Sequence, residues 1–289
     1  MEEFALFLKN RQMELSRYDF KKGSTIGIGG VVNAVCPRSF TELIDVIDEC
    51  NRRKIPFRVL GNASNVLPPE RDDRTLYVLT KGLRGLTMGD APLAHAGVTS
   101  TELLRACKIH GRSGAEFLAG IPCTIGGAAY MNAGVSGRYF AEIVHSVVAY
   151  EDGELRTYSK SECDYSYKHS RFMDCGIVLG VIFDLKEANP QSVSERIDWY
   201  LQRRKKLPKG KSMGCVFKNP EGRFAGELIE SAGLKGLRQG GAVVSGEHAN
   251  FIINDGRATA TDVKRLVAKI KRAVYEHSGV KLVEEICYL

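Results

Sequence analysis

Between Phe117 and Gly137 the chain carries no charged residue, a gap long enough to raise the question of a membrane span. Its composition argues against one. Gly120, Gly126, Gly127, Gly134 and Gly137, with Pro122 and Asn132, would leave helix-breaking backbone unsatisfied in lipid. The eight cysteines, at 36, 50, 107, 123, 163, 175, 215 and 287, include no C-x-x-C pair and no close His/Cys cluster, so no metal site is expected. They read as free thiols of a reducing compartment. Internal repeats and low-complexity tracts are missing too, which excludes solenoids and fibrous classes. The opening residues, Met1 to Lys9, hold two acids and no long apolar core, so a secretory signal is not expected and the protein reads as cytoplasmic.

What is present describes an ordinary globular chain. In 289 residues, 44% are hydrophobic and 26% charged, enough for a substantial core and about two domains. The net charge of +7 is mild and suits anionic small ligands as well as nucleic acid. Six cations and no acid lie between Tyr200 and Ser212, yet no aromatic stacking motif accompanies them, which disfavours nucleic acid.

Periodicity and punctuation predict mixed α and β structure. Residues 1–22 read as helical. A strand is predicted at Val31–Cys36, and a helix follows with Ser39 and Glu42 as its capping box. Pro56–Leu60 reads as a strand running into the polar loop Gly61-Asn-Ala-Ser-Asn65, an order that recurs in phosphate-binding sites. Leu76–Thr80 is a further strand. Thr99 and Glu102 open a helix that Gly111 ends. Ile143–Tyr150 and Leu155–Tyr158 flank a hairpin turn, and Ile177–Leu185 is a buried strand. The texture changes at Glu187–Pro190, taken as a domain boundary ahead of a helix from about Ser192. Beyond it come strand-like Cys215–Phe217, a helix at Phe224–Ala232, strands at Ala242–Val244 and Asn250–Asn254, and a helix at Thr261–His277. That helix carries Val263, Leu266, Val267 and Ile270 on one face, and Val280–Leu289 reads as a final strand.

Seven segments taken in order resemble one family. They are Thr25–Gly30, Leu60–Asn65, Gly120–Gly127 with Tyr130–Gly134, Tyr167–Ser170, Gly214–Pro220, Ala232–Gly236 and His248–Phe251. The set is similar to UDP-N-acetylenolpyruvoylglucosamine reductases of peptidoglycan precursor synthesis, from about Thr25 to Glu285. The short span from Lys168 to Cys215 resembles the compact class, without a substrate-covering insertion.

The resemblance implies an α+β fold: a two-subdomain FAD-binding region of vanillyl-alcohol-oxidase type, 1–80 and 81–188, and a C-terminal α+β UDP-sugar domain, 189–278. Residues 279–289 would return to the flavin site. It implies FAD as cofactor, NADPH as hydride donor and UDP-N-acetylglucosamine enolpyruvate as substrate, reduced to UDP-N-acetylmuramate by a monomer. Hydride addition beside a carboxylate builds enolate charge that needs stabilising, and a proton must reach the adjacent carbon. By motif Lys168 and Glu285 take the first task and Cys215 the second, in place of the family's Arg, Glu and Ser.

A thiol, with a reference pKa of about 8.5, is a stronger acid than a hydroxyl. Lysine keeps the charge but lacks the guanidinium fork, and Arg171 offers a second cation three residues on. Glu284 and Glu285 alternate, so one of them faces the flavin, and the motif favours Glu285. Gly61, Asn62, Ala63, Ser64 and Asn65, with Gly120, Ile121, Pro122, Cys123, Thr124 and Gly127, would cradle the FAD pyrophosphate. Tyr130, Asn132, Lys206 and Asn219 would meet the UDP-sugar. Ala63 and Cys123 stand where the family has glycine, and a positive φ at either would be costly. Two alternatives stay open: a divergent paralog that binds a UDP-sugar without turnover, and a flavin oxidase on another substrate.

Overall fold

The computed structural model describes residues 2–289. Helices α1 (Glu2–Asn10), α2 (Phe20–Gly23), α3 (Phe40–Arg53), α4 (Ser100–His110), α5 (Ile125–Tyr130), α6 (Pro190–Arg204), α7 (Ala225–Ser231) and α8 (Ala260–Ser278) are set among short strands. The chain forms two compact units. The first holds the chain up to Ser16, Asn33–Asn62 and Arg74–Lys205; the second holds Arg17–Val32, Ala63–Asp73 and Lys206–Leu289.

The first unit has two hydrophobic cores. One gathers α1 and α3 on the parallel pairing of Phe57–Leu60 with Leu76–Leu79, burying Phe4, Leu8, Leu43, Val46, Ile47, Leu76 and Val78. Ser39 caps α3 by accepting the Glu42 N–H at 3.1 Å. The reciprocal bond reaches one residue further back than the capping box predicts, to the N–H of Arg38. The other core lies under an antiparallel sheet in the order 154–159, 144–151, 177–183, 93–95, 86–87. Its hairpin turns at Asp152 and Gly153, with φ of 51° and 84°, the pair of positive values that a two-residue turn needs to match strand twist. The Thr99–Glu102 capping box and the left-handed Gly111 at the end of α4 are both present.

In the second unit a three-stranded antiparallel sheet, with Val243 opposite Ile253, packs with α8. The four apolar residues picked out by helical spacing are all buried, and Val274 extends their stripe. Removing a buried leucine from such a face costs about 2–5 kcal/mol.

Several expectations needed correcting. The 1–22 helix stops at Asn10, where the chain turns through Gln12 at φ 57°, and Ser16–Asp19 is a strand. Pairing overrides helical spacing there, with Ser16 Oγ donating to Ala34 O at 3.1 Å. Met1, included in that expected helix, lies outside the described residues. Cys215–Phe217 is held by isolated bridges, Cys215 to Phe251 and Phe217 to Glu284, and the final strand shrinks to Cys287–Tyr288. The first unit runs on through α6 to Lys205. Val193, Ile197 and Tyr200 of α6 join the core of the first unit, and Arg204 Nε donates to Gly120 O at 3.0 Å.

Candidate active site

In the first unit the uncharged stretch folds as a tight loop leading into α5. Thr124 is the N-cap, its Oγ1 accepting the Gly127 N–H at 3.3 Å. Gly61 approaches the same hydroxyl so closely that a Cβ on it would lie 2.2 Å from Oγ1, which accounts for glycine at the end of Phe57–Leu60. Asn62 Nδ2 donates to Pro122 O at 3.3 Å, tying that loop to the 120–127 segment.

Most of the amides of this segment are already used. Ile121 donates to Leu118 O, Cys123 to Ile121 O, Ile125 to Val98 O and Gly126 to Ala96 O. Among the described residues, Gly120 and Thr124 are the two of the segment whose N–H groups make no hydrogen bond within the chain. Cys123 is buried without a positive φ, so its Cβ is tolerated, and burial pushes its thiol up to about 11.

Past α5, Asn132 is 3% exposed and left-handed, with φ 42°. Its Nδ2 donates to Ser166 O at 2.7 Å and its Oδ1 accepts the Ala141 N–H at 3.0 Å. The amide expected at the UDP-sugar is thus occupied at both ends by the scaffold. Tyr130 is 36% exposed, and its carbonyl accepts the Ser170 hydroxyl at 2.7 Å. Lys168 sits at the tip of a turn closed by reciprocal Ser166 and His169 bonds, with φ 56°.

Arg171 is engaged within its own unit. Its guanidinium lies 4.0 Å over the Tyr158 ring, with Nη2 3.3 Å from both carboxylate oxygens of Glu151. The Tyr158 hydroxyl donates to that carboxylate and holds it below the ordinary range, with Cys175 and the Arg171 charge adding to the effect.

In the second unit Ala63 is buried and left-handed, φ 47°, the strain expected where glycine is usual. Its carbonyl and that of Ser64 accept from the backbone and the hydroxyl of Thr25, at 3.4 and 3.3 Å. Among the described residues, the N–H groups of Asn62, Ala63 and Ser64 make no hydrogen bond within the chain. Asn65 Nδ2 donates to Glu285 O at 3.0 Å, and the Cys287 N–H donates to Asn65 O at 3.0 Å.

Cys215 is half-buried and follows Gly214, whose φ of 78° turns the chain into the bridge with Phe251. On one side of this segment the Glu285 N–H donates to Val216 O at 2.8 Å. On the other, Asn250 grips the Phe217 backbone at both N–H and C=O, each at 2.9 Å. Cys215 and Glu285 therefore lie on one hydrogen-bonded framework. Glu284 points elsewhere, paired with Lys271 on α8 at 2.9 Å. Asn219 Oδ1 accepts the Ala225 N–H at 3.0 Å and so stands in for the missing side-chain cap of α7. Lys206 is exposed at the start of the unit.

Two residues gained duties that sequence reasoning missed. Thr124 was legible as an N-cap from its place before Ile-Gly-Gly. The grip of Asn250 was signalled only by its membership of the His-Ala-Asn-Phe segment.

The fold and these loops define a flavoprotein oxidoreductase. A model described as an FAD binding domain matches residues 18–159, and one described as the UDP-N-acetylenolpyruvoylglucosamine reductase C-terminal domain matches residues 205–289. The reductase of that name from Lactobacillus acidophilus is 38% identical over 281 residues, 95% of this chain and 93% of the relative. The crystal structure of the reductase from Thermus caldophilus superposes with a TM-score of 0.82 at 35% identity, over 96% of this chain and 99% of that one. Cholesterol oxidase from Brevibacterium sterolicum, at 14% identity and a TM-score of 0.50 over 61% of this chain and 38% of its own, shares the fold alone. The chain belongs to the UDP-N-acetylenolpyruvoylglucosamine reductase family. Among the described residues, no helix is long and apolar enough to cross a membrane and no metal-holding cluster is found.

Proposed function

We propose that the chain reduces UDP-N-acetylglucosamine enolpyruvate to UDP-N-acetylmuramate with NADPH and FAD, as a cytoplasmic monomer of the compact class. The observation that carries the cofactor's placement is the run of undonated amides from Asn62 to Ser64, with Ala63 buried and left-handed. Successive N–H groups around a left-handed residue form an anion-binding nest, which fits a pyrophosphate.

Bound FAD supplies the two-electron carrier between NADPH and the enolpyruvyl double bond. As that bond is reduced, charge gathers on the enolate beside the carboxylate. Lys168 supplies the cationic half of its stabilisation and Glu285 the hydrogen-bonding half. Cys215 holds at Sγ the proton that reaches the adjacent carbon. Pairing of Glu284 with Lys271 supports assigning this role to Glu285. Tyr130, Lys206 and Asn219 would contact the UDP-sugar. Residues 1–80 and 81–188 would be the FAD subdomains, 189–278 the substrate domain and 279–289 the strand that returns to the flavin.

The test is stoichiometric. NADPH consumed by flavin-loaded protein should equal saturated product formed from the enolpyruvyl substrate. A flavin-loaded sample that oxidises no NADPH with this substrate would favour the paralog that binds without turnover, a reading motivated by Ala63, Cys123 and Lys168.

A further inference from the structure

The turn that presents Lys168 is built under constraint. Ser166 and His169 exchange backbone hydrogen bonds at 3.2 and 3.3 Å, leaving Tyr167 and Lys168 at the tip. Lys168 takes φ 56°, a conformation that side-chain-bearing residues adopt rarely and keep only when their surroundings over-determine it. Ties from the short segment after α5 contribute to that determination. Asn132 Nδ2 donates to Ser166 O at 2.7 Å, at the base of the turn. Ser170, fully buried, donates its hydroxyl to Tyr130 O at 2.7 Å, at the other side of the base.

Asn132 is itself fixed. Its Oδ1 accepts the Ala141 N–H at 3.0 Å, and because Ser166 O can only accept and Ala141 N only donate, one amide orientation satisfies both. The residue is 3% exposed and left-handed like Lys168, so two strained backbones are joined by one buried amide.

We propose that Asn132 is a positioning residue: it clamps the Ser166–His169 turn in the left-handed geometry that sets where the Lys168 side chain acts. The proposal rests on the reading of Lys168 as the cation of the reductase reaction. Asparagine is required at 132 because a donor must face Ser166 O while an acceptor faces Ala141 N. Aspartate keeps the second function and sets an acceptor against a carbonyl in the first.

The experiment uses FAD-loaded enzyme and a double-mutant cycle of Asn132→Asp and Lys168→Ala. Two rates are read per bound flavin: flavin reduction by NADPH, and flavin reoxidation by UDP-N-acetylglucosamine enolpyruvate. A displacement of about 1 Å at a reacting group costs up to about 100-fold, so Asn132→Asp should slow reoxidation by about 10- to 100-fold and leave reduction by NADPH at the wild-type rate. The double variant should reoxidise no more slowly than Lys168→Ala alone. In the FAD-free protein, amide hydrogen exchange at His169 should rise in Asn132→Asp.

Losses that multiply in the double variant, or an Asn132→Asp enzyme with wild-type reoxidation beside a slow Lys168→Ala, would overturn the positioning role alone. Wild-type reoxidation by Lys168→Ala would instead remove the catalytic reading on which it rests. If Asn132→Asp does not fold, Ser170→Ala cuts the other tie, and its smaller loss should likewise vanish in the Lys168→Ala background; a loss that persists there overturns the proposal.

Discussion

The loop 61–65 and the segment 120–127 were both expected to hold the FAD pyrophosphate, and a division runs between their backbone amides. From Gly120 to Gly127 there are seven N–H groups, Pro122 having none, and five are spent on the segment's own fold. Asn62, Ala63 and Ser64 spend none. Most amides of the longer glycine-rich stretch are thus committed to the fold, and three successive amides of the shorter loop are not. Glycine marks both, for different reasons: Gly126 for lack of space and Gly61 for close approach to Thr124. At 63 the backbone conformation asks for glycine and alanine stands instead.

This division can be broken by substitution. A Cβ at Gly126 would stand 2.7 Å from that of Ala96, with rigid backbone at 3.2 Å, so Gly126→Val should be the most damaging change. Overpacking of this kind costs about 1–3 kcal/mol, seen as a lowered urea midpoint, with flavin lost in parallel with fold. Thr124→Ala removes the cap of α5 and should cost about 1 kcal/mol, while Thr124→Ser should restore most of it. Ala63→Gly should go the other way. Relief of left-handed strain is worth about 1–2 kcal/mol, offset by about 0.5–1 for the freer unfolded chain, leaving a gain of up to about 1.5 kcal/mol and flavin held at least as tightly. Weaker flavin binding by Ala63→Gly would mean the loop is not the anion nest.

A smaller effect belongs to acid. Hydrogen bonds from Arg52, with help from Arg53, hold the Glu49 carboxyl down from 4.5 to about 2 against the opposing cost of burial. A depressed carboxyl stabilises the fold fully above its unfolded pKa and loses that contribution as pH falls through its folded value. Glu49→Gln should therefore flatten the fall in stability between pH 4.5 and 2 and change its slope at neutral pH little.

Local signals were readable in the chain. Caps at Ser39, Thr99 and Gly111, the Asp152-Gly153 turn and the buried face of α8 depend on residues a few positions apart, and all are present. The ordered motifs gave the family, and with it Cys215, Lys168 and Glu285 as residues to examine. Hidden from the sequence were choices made by distant partners: whether the Gly126 amide faces Ala96 or a ligand, whether Arg171 turns to Glu151, and whether α6 joins the core before it or the sheet after it. Asn132 and Asn219 show the same limit, since their side chains are engaged by Ser166, Ala141 and Ala225. Spacing could not show which backbone groups these side chains hold.

The most direct measurement separates the two half-reactions in Cys215→Ala. Losing a proton donor should slow flavin reoxidation by the enolpyruvyl substrate by about 100- to 10,000-fold while reduction by NADPH keeps its wild-type rate. Equal loss in both half-reactions, or reoxidation at the wild-type rate, would contradict the role given to Cys215.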